Sequence, residues 1–190
     1  MPDVFEVLRA DHEEVKQMLA ELETGQGRSD GGAMAEARQQ LASKLVIESS
    51  KHEAVEEMYF WPAVRDRVPG GDQLADTAIG QENEAKQVLA RLDKAEAGDG
   101  EFESLIAEFI PSAREHISFE ENQVWPGLRQ ALSAEEAEDL GDKIAGAKAT
   151  APTRPHPHTP GSPGVLKTAG PAVAAADRAR DAMTGRGKED

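Results

Sequence analysis

Two glutamates follow two histidines by four residues in this chain, Glu56 after His52 and Glu120 after His116. On a helix that spacing puts an imidazole and a carboxylate on one face, about a turn apart. Each pair can bring a nitrogen and an oxygen to the same point. His52 shares its stripe with Leu45, Val55 and Tyr59, and His116 follows Leu105 and Phe109 along an inner face. His12 stands with Leu8, Val15 and Leu19, and Glu82 falls on a stripe with Ala78, Ile79, Ala85 and Leu89. A carboxylate facing a core is unfavourable unless it is paired or bound to metal. Six such groups in matched positions point to a metal site, and mixed imidazole and carboxylate donors suit iron, manganese or zinc. Two bridging carboxylates suit a pair of ions. No histidine has Glu three residues before it, so the Glu-x-x-His of ferritin-like proteins is absent. The zinc-protease pattern HExxH is absent too.

The groups recur because the chain repeats itself. Residues 11–22, DHEEVKQMLAEL, lie over residues 81–92, QENEAKQVLARL, matching Lys16 with Lys86, Gln17 with Gln87 and Leu19 with Leu89. Residues 52–65 lie over 116–129, matching His52 with His116, Glu56 with Glu120, Trp61 with Trp125 and Pro62 with Pro126. Glu82 takes the place of His12. Two similar hairpins about a pseudo-twofold axis would deliver ligands from both halves to whatever sits on the axis.

Four segments with helical apolar spacing must carry these residues. The first runs from an N-cap at Asp3 to Thr24, the second from about Ala33 to near Val68, the third from about Gln73 to Ala97, and the fourth from near Phe102 to about Leu132, with a bend expected at Pro111. A short fifth helix is expected from Ser133, which forms a capping-box pattern with Glu136, to near Gly146. The fold expected is an all-α, up-down four-helix bundle in residues 1–147. The Pro/Ala/Gly-rich stretch 148–190 reads as a largely disordered tail with room for a short helix near Ala172 to Met183. His156 and His158 stand in its solvated linker. Trp61 and Trp125 are assigned to packing at the bundle end.

Composition narrows the chemistry. With no cysteine among the 190 residues, thiolate sites, iron–sulfur clusters and disulfides are excluded. The net charge of −15 repels phosphate backbones, so nucleic acid is not expected as a partner. No apolar run approaches a membrane span or a signal-peptide core, and a cytoplasmic protein is expected.

His12, the pair His52 and Glu56 before Trp61-Pro62, and the pair His116 and Glu120 before Trp125-Pro126 resemble the hemerythrin family, in particular its bacterial HHE cation-binding domains. The resemblance covers roughly residues 3–132. It implies two non-haem iron ions joined by an oxo or hydroxo bridge and by the two glutamates, with His12, His52, Glu56, Glu82, His116 and Glu120 as the ligand set. The chain departs from the family at its third helix, where hemerythrins carry histidine ligands and Glu82 stands instead; no histidine occurs between His52 and His116. A diferric oxo core with three carboxylates has a net charge of about +1, which favours the ferric state. Such a centre suits oxidising chemistry on peroxide, in a catalase-like reaction, or on nitric oxide or oxygen, better than reversible oxygen carriage. A binding or sensing protein without turnover is the alternative. Glu121, one residue beyond Glu120, competes with it as a ligand. Tyr59, the only tyrosine, is either a donor or ligand at the site or a packed aromatic.

Overall fold

A computed structural model describes residues 2–25, 32–157 and 163–186, with the side chains of 163–166 and 169 left aside. The chain forms α1 (Val4–Thr24), α2 (Ala33–Val55), a π-helical turn (Glu56–Phe60), α3 (Trp61–Arg67), α4 (Gly71–Leu92), α5 (Gly100–Phe119), a second π turn (Glu120–Val124), α6 (Trp125–Ala131), α7 (Ala134–Lys148) and α8 (Pro163–Thr184). Taken with their π turns, α2–α3 and α5–α6 are long helices, and with α1 and α4 they make the expected all-α four-helix bundle.

Local chemistry explains the boundaries. Asp3 caps α1: its carboxylate accepts from Glu6 N at 2.8 Å while Glu6 accepts from Asp3 N at 2.9 Å. Ser133 and Glu136 close the same reciprocal box on α7. Gly70, at φ 76°, takes the left-handed turn between α3 and α4 that a Cβ would strain. The third long helix stops at Leu92, short of Ala97, and α5 passes through Pro111 as one continuous helix.

The π turns are not legible as apolar periodicity. In both hairpins a Trp-Pro dipeptide follows, and proline has no N–H to give the carbonyl four residues back and crowds that carbonyl. The Trp61 N–H reaches Glu56 O and the Trp125 N–H reaches Glu120 O, five residues back. The helix therefore widens at the two glutamates singled out by sequence, a common arrangement where helices carry function.

The core forms two apolar blocks. One gathers Phe5, Leu8, Phe60, Trp61, Trp125 and Leu128; the other gathers Leu19, Leu22, Leu45, Leu89, Phe102 and Leu105. Each such side chain stabilises by roughly 1.5–3 kcal/mol when fully buried. The candidate ligands lie along the helices between these blocks. Helix α7 lies against the start of α1, where Gly141 comes so close that a Cβ would sit 2.7 Å from Pro2 O and 2.9 Å from Val4 N.

The tail departs from expectation. Its helix is α8, longer than the short segment near Ala172 to Met183, and it packs on the first π turn. Low complexity hid what holds it: Arg154 and Arg186 each pair with both Asp93 and Asp181, and Thr153 Oγ1 donates to Asp181 at 2.6 Å. His156, expected in a solvated linker, lies 2.9 Å from Asp177. His158 lies outside the described residues.

Candidate metal centre

All six side chains named from sequence come together. His12 arrives from α1, His52 from α2, Glu82 from α4, His116 from α5, and Glu56 and Glu120 from the first residues of the two π turns. Glu56 and Glu120 are fully buried, and His12 and Glu82 are 1% exposed. Their donor atoms form two tetrads, His12, His52, Glu56 and Glu120 in one and Glu56, Glu82, His116 and Glu120 in the other; within each, all lie within 4.8 Å of one another. Both tetrads share Glu56 and Glu120.

Geometry separates the rival glutamates. Glu120 faces inward, with Oε2 3.0 Å from His12 Nε2 and Oε1 3.1 Å from His116 Nε2. Glu121 stands behind His12 instead, accepting from its Nδ1 at 2.9 Å and from Lys16 Nζ at 3.0 Å. That contact orients the ring, with Nδ1 turned to Glu121 and Nε2 turned to the centre. His52 is held likewise by Asp11, 3.2 Å from its Nδ1, and Asp11 in turn by Lys148 at 2.6 Å. His116 Nδ1 lies 3.0 Å from the amide oxygen of Gln81.

A cation fits what these residues leave over. The Nε2 atoms of all three histidines, both oxygens of Glu56 and of Glu120, and Oε2 of Glu82 are buried without a hydrogen-bond partner. Each unsatisfied buried group costs about 1–3 kcal/mol, more when charged. Lone pairs of nitrogen and oxygen converging from four helices are what a positive ion satisfies.

The electrostatics agree. Burial, and then the charge of Glu120, push the Glu56 carboxyl well above its ordinary range; burial does the same to Glu82 against the opposing charges of Lys86 and His116. Burial alone would suppress the His116 cation, but Glu120 beside it lifts the group to about 9. Burial likewise opposes ionisation of Glu120, yet His116 and His12 hold it well below the usual carboxylate range. Protons and positive neighbours here do what a metal would do: neutralise carboxylates crowded out of water.

Sequence reading missed the residues that support the six. The tryptophans, assigned to packing, touch the centre: Trp61 Nε1 donates to Glu82 Oε1 at 2.5 Å, and Trp125 stacks on His12 at 5.2 Å between centroids. The repeat contained the rest. It pairs Asp11 with Gln81, each behind a histidine, and Glu121 with Glu57, each ion-paired to the matching lysine, Lys16 or Lys86. The pseudo-twofold order breaks at one ligand position, where His12 is backed by Glu121 and Glu82 leaves Glu57 with no histidine to hold. Tyr59 takes neither site role: its ring faces α7 and α8, with Lys167 Nζ 4.6 Å from the ring centroid, in a cleft lined by Lys143 and Ala147.

The family model for the hemerythrin HHE cation-binding domain matches residues 3–128. The chain belongs to that family. An uncharacterized hemerythrin-like protein of Schizosaccharomyces pombe is 27% identical over 142 residues, covering 74% of this chain and 70% of its own. A protein of Nostoc sp. named as a DNA nickase is 25% identical over 148 residues, which is 77% of this hemerythrin-like chain but 39% of the nickase. The crystal structure of a hemerythrin HHE cation-binding domain-containing protein from Mycobacterium kansasii superposes with a TM-score of 0.65 at 21% identity, over 93% of this chain and 99% of that one. The fold is therefore hemerythrin-like, and the site lies within the matched residues as a candidate metal centre.

Proposed function

We propose that the six side chains hold two iron ions, one in each tetrad, with Glu56 and Glu120 shared between them. The observation that carries this is the pair of buried tetrads with two glutamates in common. Such a pair supplies electron transfer to and from small oxidised molecules, and peroxide is the leading substrate, with nitric oxide and oxygen behind it. Disproportionation of two peroxides to water and oxygen balances without an outside reductant. The protein's part is to fix donor atoms: Glu121, Asp11 and Gln81 hold the three imidazoles, Trp61 holds Glu82, and the two apolar blocks keep bulk water off either side. A cavity of about 550 Å³ lined by His12, His52 and His116 gives small molecules a way in. The three carboxylates bias the pair toward the ferric state, which favours oxidising chemistry over oxygen carriage.

Iron content and oxygen evolution test the two halves of this reading. Purified protein reconstituted anaerobically with ferrous iron should hold about two irons per chain, fewer after His52→Ala or His116→Ala, and the loaded protein should release oxygen from peroxide faster than free iron does. No bound iron rejects the centre; iron without activity rejects the reaction.

A sensing role is the second reading, favoured by the packing of α8 on the π turn that begins at Glu56. Altered protection of α8 on iron or oxygen binding, without turnover, would select it. Nicking of DNA is not carried over from the Nostoc relative, because the alignment spans 39% of that protein and this chain is strongly acidic. No helix among the described residues is long and apolar enough to cross a membrane. We place the activity in the cytoplasm.

A further inference from the structure

The cavity beside the centre has a charge pattern that a neutral substrate does not require. Its inner end is formed by the buried His12 and His52 and the partly buried His116, and its outer end by Glu84 on α4 and by Glu108 and Glu115 on α5. Those three glutamates are exposed, and none is ion-paired among the described residues. Arg91, the arginine at this rim, is turned to Glu101 at 3.1 Å. Glu53, 6% exposed, also lines the cavity, and its Oε2 is buried with no hydrogen-bond partner. Glu53 belongs to neither tetrad.

We propose that this cavity is the route by which ferrous iron enters, with Glu84, Glu108 and Glu115 gathering the hydrated dication and Glu53 serving as its way-station before the histidines. The proposal rests on the metal-centre reading above. A mouth of unpaired carboxylates focuses a negative potential that concentrates cations and repels anions, whereas peroxide, oxygen and nitric oxide gain nothing from it. The space is sufficient: six waters around an ion need roughly 200 Å³ at about 30 Å³ each, against a cavity of about 550 Å³. An unpartnered buried carboxylate also gives the ion an oxygen to exchange for lost water, as divalent cations with oxygen ligands require. Because Glu53 stands outside the tetrads, it can release the ion to them.

Anaerobic uptake of ferrous iron, timed by competition with a coloured ferrous chelator, tests the route. The triple variant Glu84→Gln/Glu108→Gln/Glu115→Gln should reach the wild-type iron content about tenfold more slowly at low salt, and salt should narrow the gap as it screens the mouth. Glu53→Gln should also slow uptake, with a deficit that survives high salt. The control Glu135→Gln/Asp139→Asn/Asp142→Asn removes the same formal charge from the outside of α7 and should load at the wild-type rate. Equal rates for the mouth variant and wild type overturn the route, as does equal slowing of the α7 control. Glu53→Gln loading like wild type overturns the way-station. Wild-type protein that takes up no iron overturns centre and route together.

Discussion

The indole Nε1–H of Trp61 donates to Glu82 Oε1 at 2.5 Å and leaves Oε2 of the same carboxylate buried and unpartnered. One oxygen is thus anchored by a rigid ring of the apolar block, and the other is free to bind an ion. Trp61→Phe keeps an aromatic ring in the apolar block, though a smaller one, and removes the donor. It should weaken binding of the ion in the Glu82 tetrad by about 10–100-fold, as loss of groups that orient metal ligands commonly does. Titration against a chelator of known affinity measures this, and unchanged affinity for both ions would show that the hydrogen bond has no bearing on the centre.

Glu120 and Glu121 should respond differently to the same conservative change. Glu120→Gln removes the carboxylate shared by both tetrads and should leave the protein unable to hold the pair of ions. Glu121→Gln only weakens the anchor behind His12 and should retain both ions with affinity reduced about 10–100-fold. If the two variants lost iron equally, the assignment of Glu120 as ligand and Glu121 as support would be wrong.

The break in the pseudo-twofold order at position 82 can be repaired by substitution. Glu57, ion-paired to Lys86, occupies the place that Glu121, paired to Lys16, holds behind His12. In Glu82→His the new imidazole should find Glu57 as its Nδ1 acceptor, and the protein should still bind two ions. With a carboxylate gone, the ferric state loses stabilisation and the reduction potential should rise, as redox titration would record. Glu82→Ala, which supplies no donor, should instead lose an ion.

Metal-free protein should be less stable in mildly alkaline than in mildly acidic solution. Burial raises Glu53 from its ordinary 4.5 to about 7, so the folded state holds a proton that the unfolded chain releases, and stability falls as pH rises from 4.5 to about 7. Glu56 and Glu82 act in the same direction. His116, lifted from 6.5 to about 9 mainly by Glu120 against the effect of burial, contributes stability below 6.5 that is lost as pH rises to about 9. Two groups work the other way: Glu120, held low, only as pH falls below 4.5, and His52, lowered chiefly by burial, as pH falls below 6.5, where it opposes the three glutamates singly. Thermal unfolding in the presence of chelator should therefore show a melting temperature falling from pH 5 to pH 9, roughly the span of these shifts. Bound metal should flatten the slope, since it replaces the protons. A melting temperature that rises over this range would contradict the placement of these carboxyls.

Much of the protein is decided by local chemistry that can be read along the chain. The caps at Asp3 and Ser133 depend on residues three apart, and the apolar stripes with their punctuating glycines mark the helices within a few residues. The six inward donors were legible for the same reason: four-residue spacing and the internal repeat place them on matching faces whatever the packing turns out to be.

What tertiary structure alone decided involves groups distant in sequence or a competition that periodicity does not record. Glu120 and Glu121 are neighbours on one helix, and only the position of His12, from α1, assigns one to the centre and the other behind the imidazole. The widened turns at Glu56 and Glu120 follow from prolines six residues on, whose missing N–H shifts the hydrogen-bond register. Trp61 meets Glu82 and Asp11 meets His52 only because α4 and α1 pack beside the second long helix. The tail helix is held by Arg154, Arg186 and Asp93, polar side chains whose pairing leaves no trace in hydropathy. The sequence by itself determined which side chains face inward, because that depends on helical pitch; which of their atoms meet was left to the packing of four helices, because that depends on distances between segments far apart along the chain.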